Sequence, residues 1–130
     1  MPRFVLLDHD HPSPHLDFML EAGGVLWTWR LDVPPRPGEP RPALRIFDHR
    51  THYLDYEGPV SGGRGSVHRR DWGTFDWVEQ ADHRLVARLR GQLLQGRLTL
   101  RRAEGDSWLV VFEPQPRALD NPAHGVSEEG

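Results

Sequence analysis

The sequence predicts a mainly β protein, a small closed or partly open antiparallel β-barrel with few short helices. Three observations carry that expectation. Short runs alternating apolar and polar residues recur along the chain, so each buries one face as a strand does. Gly- and Pro-bearing stretches separate them at the spacing of an up-and-down β architecture. Long 3.6-residue periodicities with helix caps are lacking.

Arg3–Leu7 is a short apolar run, and Asp8–Pro14, with its two Pro, reads as a loop. Leu16–Glu21 leads into Gly23-Gly24, a pair that marks a hairpin, and Val25–Leu31 follows as a Trp-rich strand. Five Pro between Pro34 and Pro42 indicate a surface loop, because proline lacks the donor that a sheet interior requires. Ala43–Asp48 is the next strand and Gly58–Gly65 a flexible connection. Gly73–Glu79, His83–Arg90, Arg97–Arg102 and Ser107–Phe112 complete the order. Leu85, Ala87 and Leu89 share one face of their strand, and Leu98 and Leu100 alternate with Arg97, Thr99 and Arg101. Trp27 and Trp29 share a face, as do Trp108, Val110 and Phe112; packing in a small core accounts for them better than base stacking. Residues 1–113 are the expected barrel domain. Residues 114–130, polar and aperiodic, are the expected flexible C-terminal tail.

A chain of 130 residues and 15.0 kDa fits one domain. Cysteine is absent, which excludes disulfides, thiolate nucleophiles and zinc–thiolate sites and suits a cytoplasmic location. No apolar run approaches the roughly 20 residues needed to cross a bilayer, so no membrane partner is expected. The net charge is −3, and all 16 basic residues are Arg. Six Arg and no acid lie between Arg84 and Arg102; with so uniform a use of Arg, a solvated outer barrel face is preferred there to a DNA track.

The sharpest chemistry sits near the amino terminus. His15 and Asp17 are two apart and project from one face of an extended segment, while His9 precedes a Pro-bearing loop able to fold back beside them. Two imidazoles and a carboxylate form a three-point site for a divalent ion, with positions left for water or substrate. Three unrelated polar residues in an exposed loop are the plainer alternative. A second cluster, Asp48-His49-Arg50-Thr51-His52-Tyr53, has Arg41 and Arg45 upstream; an imidazole, a phenol and a guanidinium together grip phosphate. An ordinary strand end with a core Tyr is the alternative there.

Taken together, these segments resemble the 3′-phosphoesterase domain of bacterial DNA ligase D and its free-standing, polymerase- or ligase-associated relatives. The resemblance rests on Phe4-Val5, His9, His15-Leu16-Asp17-Phe18-Met19-Leu20-Glu21 and Gly24-Val25-Leu26-Trp27-Thr28-Trp29. It continues through Asp48-His49, Tyr53, Asp55-Tyr56-Glu57-Gly58, Asp71-Trp72-Gly73-Thr74-Phe75 and Trp108-Leu109-Val110-Val111. It covers about residues 3–113. It implies a metal-dependent hydrolase of DNA repair that removes a 3′-ribonucleoside or a 3′-phosphate from a primer end. His9, His15 and Asp17 are then the metal ligands, Mn²⁺ being favoured over Zn²⁺ or Co²⁺. His49, Tyr53 and Arg41 are the catalytic, phosphate-contacting residues. The implied partners are DNA or RNA–DNA 3′ ends and a separately encoded ligase or polymerase, with the chain itself a monomer. The chain departs from the family pattern in several places: its arginine two residues after the metal-binding Asp is Met19, its acid before the Asp-His pair is Phe47, its lysine after the first hairpin has no counterpart in Val33-Pro34-Pro35, and the loop after Gly58 is shorter. Arg30, Arg36 and Arg45 are candidates to supply the missing guanidinium. A catalytically weakened metal- and phosphate-binding module on the same scaffold is the alternative reading, and a two-histidine, one-carboxylate iron oxygenase is a third.

Overall fold

The computed structural model describes residues 1–115. Nine strands follow one another: β1 (Arg3–His9), β2 (His15–Ala22), β3 (Val25–Leu31), β4 (Arg41–His49), β5 (Gly58–Pro59), β6 (Ser66–Ala81), β7 (Arg84–Gly91), β8 (Gln95–Glu104) and β9 (Ser107–Pro114). A 3₁₀ turn at Thr51–Leu54 is the helical element among the described residues. Neighbours run in the order β1-β2-β3-β4-β9-β8-β7-β6, every pairing is antiparallel, and β6 returns to β1. The barrel is closed with eight strands. Closure removes the open edges that would otherwise template aggregation. No helix is long and apolar enough to cross a membrane among the described residues.

Alternation fills the interior. Phe4, Phe18, Trp29, Phe75, Leu89 and Leu98 lie within it, each at most 1 % exposed, and Trp29 meets Trp108 edge-on at 5.6 Å. A second cluster sits on the opposite face of β1 and β2, where Val5, Leu7 and Met19 pack with Leu26, Leu54 and Val67. Both faces of these two strands are therefore covered, and the run Phe4-Val5-Leu6-Leu7 is apolar without a break for that reason. The cover is the connection between β4 and β6, fastened to the barrel by polar contacts. Asp55 pairs with Arg3, Glu57 accepts from the Arg69 amide at 2.8 Å, and Arg69 Nη1 donates to the Leu54 carbonyl at 3.3 Å.

The Gly23-Gly24 hairpin forms as expected, with Ala22 and Val25 the last pair of its ladder and both glycines at positive φ. The strand expected over Gly73–Glu79 is far longer. β6 spans 16 residues and serves two neighbours, pairing with β1 through Thr74 and with β7 from Gly73 onward. Gly73 sits at this changeover, where a Cβ would collide with the Arg90 carbonyl. The connection expected over Gly58–Gly65 contributes the two-residue strand β5, paired with Ser66 and Val67. Pro114 ends β9, and the Gln115 amide donates to Gln95 O at 2.8 Å, so pairing continues past residue 113. The rest of the expected tail, residues 116–130, lies outside the described residues.

Asp71 is a fully buried carboxylate. It accepts three backbone N–H bonds from the turn between β7 and β8: Gln92 (2.7 Å), Leu93 (3.0 Å) and Leu94 (2.8 Å). Gly91 makes room for it, since a Cβ there would strike the carboxylate and the Phe4 ring. We expect Gly91→Ala to lower the thermal midpoint by several degrees, as overpacking of a closed core costs about 1–3 kcal/mol. An unchanged melting curve would contradict this packing.

Candidate functional site

The β1–β2 register builds the site. His9 pairs with His15, Leu7 with Asp17 and Val5 with Met19, so the two imidazoles and the carboxylate share the covered outer face. The loop expected to bring His9 alongside is the turn of this hairpin. Imidazole centroids of His9 and His15 lie 4.8 Å apart. His9 Nδ1 is 3.3 Å from Asp17 Oδ2, and His15 Nε2 is 3.3 Å from Asp17 Oδ1. One ligand atom from each residue lies within 4.8 Å of the others, a span that fits one ion.

The remaining nitrogens fix the tautomers. His15 Nδ1–H donates to the Ser13 carbonyl at 2.9 Å, and His9 Nε2–H donates to the Arg64 carbonyl at 2.9 Å. Carbonyls only accept, so the outer nitrogens carry protons, and each imidazole in its neutral form turns its inner lone pair inward. Those lone pairs face a carboxylate. His15 Nε2 and Asp17 Oδ1 are buried with no hydrogen-bond partner among the described residues, an arrangement that costs free energy unless a cation offsets it. The donor set of two nitrogens and one oxygen suits Mn²⁺, Zn²⁺ or Co²⁺. The residues fit a divalent ion.

Asp17 and the second cluster open on one cleft of about 430 Å³, whose lining includes His9, Asp17, Arg30, Phe47, His49 and Tyr53. His49 is oriented by its Nδ1–H, which lies 3.0 Å from both the Phe47 carbonyl and Thr28 Oγ1. The Thr28 hydroxyl proton is donated to Leu26 O at 3.0 Å, so its oxygen accepts from His49. Burial pushes the His49 pKa below the usual imidazole value, and the negative charge of Asp17 partly counters it. The ring is neutral at pH 7, with Nε2 as its free nitrogen. Tyr53 packs edge-on against it at 5.7 Å.

Arg41 is not brought to the cleft. Arg41 pairs with Val110 and Ala43 with Trp108, so this part of β4 turns the odd-numbered residues toward the barrel interior. Further along, Thr28 pairs with Ile46 but Leu26 with His49, so three residues of β4 span two steps of the ladder. That bulge reverses the alternation and delivers His49 to the outer face. Arg41 stays on the other side, and its guanidinium pairs with Glu39 at 3.0 Å. Of the alternatives, Arg45 lies over Trp27 and Trp29 at 5.4 and 4.7 Å, and Arg36 bridges to Glu39 within the Pro-rich loop. Arg30 does reach the cleft. It is the cross-strand partner of Asp17, and its Nε is buried without a partner among the described residues. Arg50, from the second cluster, lines the cleft as well. Thr28 and Arg64 are additions to the sequence candidates, and a polar residue at 28 between Trp27 and Trp29 is the available signal for the former.

A sequence model of the DNA ligase D 3′-phosphoesterase domain matches residues 7–102. The chain belongs to this family. Among similar proteins, the multifunctional non-homologous end joining DNA repair protein LigD of Mycobacterium tuberculosis (strain H37Rv) is 33% identical over 116 residues, which is 82% of this chain and 15% of that protein. The multifunctional non-homologous end joining protein LigD of Pseudomonas aeruginosa is 30% identical over 134 residues, covering 91% of this chain and 16% of the relative. The chain thus spans about one sixth of the length of these LigD proteins. The matched segment takes in His9, His15, Asp17, His49 and Tyr53, so the DNA ligase D family match and the cleft coincide on one part of the barrel.

Proposed function

We propose that this chain is a metal-dependent phosphoesterase of DNA end repair, removing a 3′-phosphate or a 3′-ribonucleoside from DNA or RNA–DNA ends in the cytoplasm. The observation that carries the reading is the pair of histidine lone pairs turned onto a buried carboxylate at the floor of a cleft lined by Arg30, His49 and Tyr53. His9 Nδ1, His15 Nε2 and Asp17 would hold a divalent ion, Mn²⁺ by preference, which when bound would supply Lewis-acid polarisation of a phosphoryl oxygen and acidify the attacking water. Arg30 faces the charge that develops on the phosphoryl oxygens, where a guanidinium forms charge-assisted hydrogen bonds. Neutral His49 accepts at Nε2 the proton given up by the water that attacks phosphorus, while its Nδ1–H stays on Phe47 O and Thr28, and the Tyr53 hydroxyl donates a hydrogen bond to the phosphate.

The test is a screen of Mn²⁺, Zn²⁺ and Co²⁺ on end-labelled primer-templates bearing a 3′-ribonucleotide or a 3′-phosphate. Release of the terminal group in one of these metals supports the reading. Stoichiometric metal binding without release from either end selects the weakened binding module, which the non-cationic Met19 on the cleft floor favours. Arg30→Ala is expected to lower kcat/KM about 10- to 100-fold, the worth of one charge-assisted hydrogen bond, with Arg30→Lys between it and the wild type. Equal kinetics for all three proteins would remove Arg30 from the phosphate site.

A further inference from the structure

Phe47 is the one exposed Phe or Trp among the described residues, at 71 %. The β4 bulge causes this. Ile46 and His49 take the ladder positions opposite Thr28 and Leu26, and the intervening residues are pushed outward. Exposing a phenyl ring forgoes its burial, and no barrel residue requires it there. Its ring nevertheless lies flat on the His49 imidazole, with centroids 4.7 Å apart and planes 12° from parallel. One face of the phenyl group is covered by His49, and the other is open at the rim of the cleft. Arg30, Arg50 and Arg64 line the same cleft against Asp17 and Asp48, so cationic side chains outnumber acidic ones where a polyanionic strand would lie.

We propose that the open face of Phe47 is a nucleobase subsite, on which the base of the 3′-terminal nucleotide stacks while its phosphate lies against His49 and Arg30. This rests on the phosphoesterase reading above and adds the part of the substrate that is recognised. A flat ring backed by a second parallel ring extends most favourably by a third, and each of the four bases offers a π-face. The subsite is therefore tolerant of sequence and selective for an end that still carries a base. Phe47 is a specificity residue rather than a catalytic one.

The experiment compares two primer-templates, one ending in an ordinary 3′-ribonucleoside and one in an abasic 3′-ribose, across wild type, Phe47→Ala and Phe47→Trp. Both substitutions are at an exposed position, so the fold is retained. The ratio of kcat/KM for the base-bearing end to that for the abasic end should fall about 10- to 100-fold in Phe47→Ala and persist in Phe47→Trp. A ratio unchanged in Phe47→Ala would overturn the proposal and leave the ring as a prop for His49. Binding separates this from failure of the phosphoesterase reading. A primer with 3′-terminal 2-aminopurine should change its fluorescence on binding wild type, as the base leaves the primer stack for the ring, with Kd raised about tenfold or more in Phe47→Ala, even if neither end is hydrolysed. An equal fluorescence change and equal affinity in the two proteins would sink the subsite.

Discussion

Asp17→Ala and His15→Ala are each expected to abolish stoichiometric Mn²⁺ binding and lower metal-dependent release of a 3′ group by well over about 100-fold. Loss of an outer partner of a metal ligand already costs 10- to 100-fold, and these two residues are ligands themselves. A merely structural cluster would not respond to the ion. Asp17→Asn keeps the shape of the side chain and removes the anionic ligand, so the wild type should gain thermal stability as Mn²⁺ is added while the variant gains little or none. Titration calorimetry and thermal denaturation with and without the ion read both effects. Turnover of either alanine variant at the wild-type rate would end the assignment.

Asp71→Ala should produce the largest loss of stability, about 3 kcal/mol or more. The substitution strands three backbone donors that the carboxylate accepts at 2.7–3.0 Å in a site with no solvent exposure of the aspartate. Each buried unsatisfied group costs about 1–3 kcal/mol, and bonds to a charged acceptor are the stronger kind. Asp71→Asn is expected to recover part of this, since its carbonyl oxygen still accepts from Gln92 and Leu93 while its amide nitrogen opposes the Leu94 N–H. Urea denaturation measures the difference, and a midpoint shift equivalent to less than about 1 kcal/mol would refute the role. The family-like block Asp71-Trp72-Gly73-Thr74 thus contains a residue whose work is to hold the β7–β8 turn, remote from the cleft lining.

Much of this was legible in one dimension. Alternation at Leu85, Ala87 and Leu89 gave a half-buried strand, and Gly23-Gly24 gave its hairpin, because both are local signals. The spacing of His15 and Asp17 revealed the metal face for the same reason. His9 needed the hairpin register, which the intervening Pro-bearing loop only hinted at. What escaped depended on through-space partners. Arg41 and His49 are eight apart, which strict alternation puts on one face, and a single extra residue in β4 separates them. Arg30 is one of three candidate guanidinium donors in the sequence, and the β2–β3 ladder, which sets it against Asp17, is what singles it out. β6 was read at half its length because His68, Arg69 and Arg70 look like loop; one of them pairs with Asp8 and another lies over Trp72 at 4.3 Å.

The orientation of His9 depends on a main-chain oxygen, that of Arg64, at the end of the connection that covers the outer face. Any amino acid supplies that oxygen, so the identity of the side chain at 64 does not set the imidazole's alignment. Deleting or inserting one residue between Val60 and Gly65 would carry the oxygen out of reach, so this alignment depends on the length of the stretch rather than on its composition.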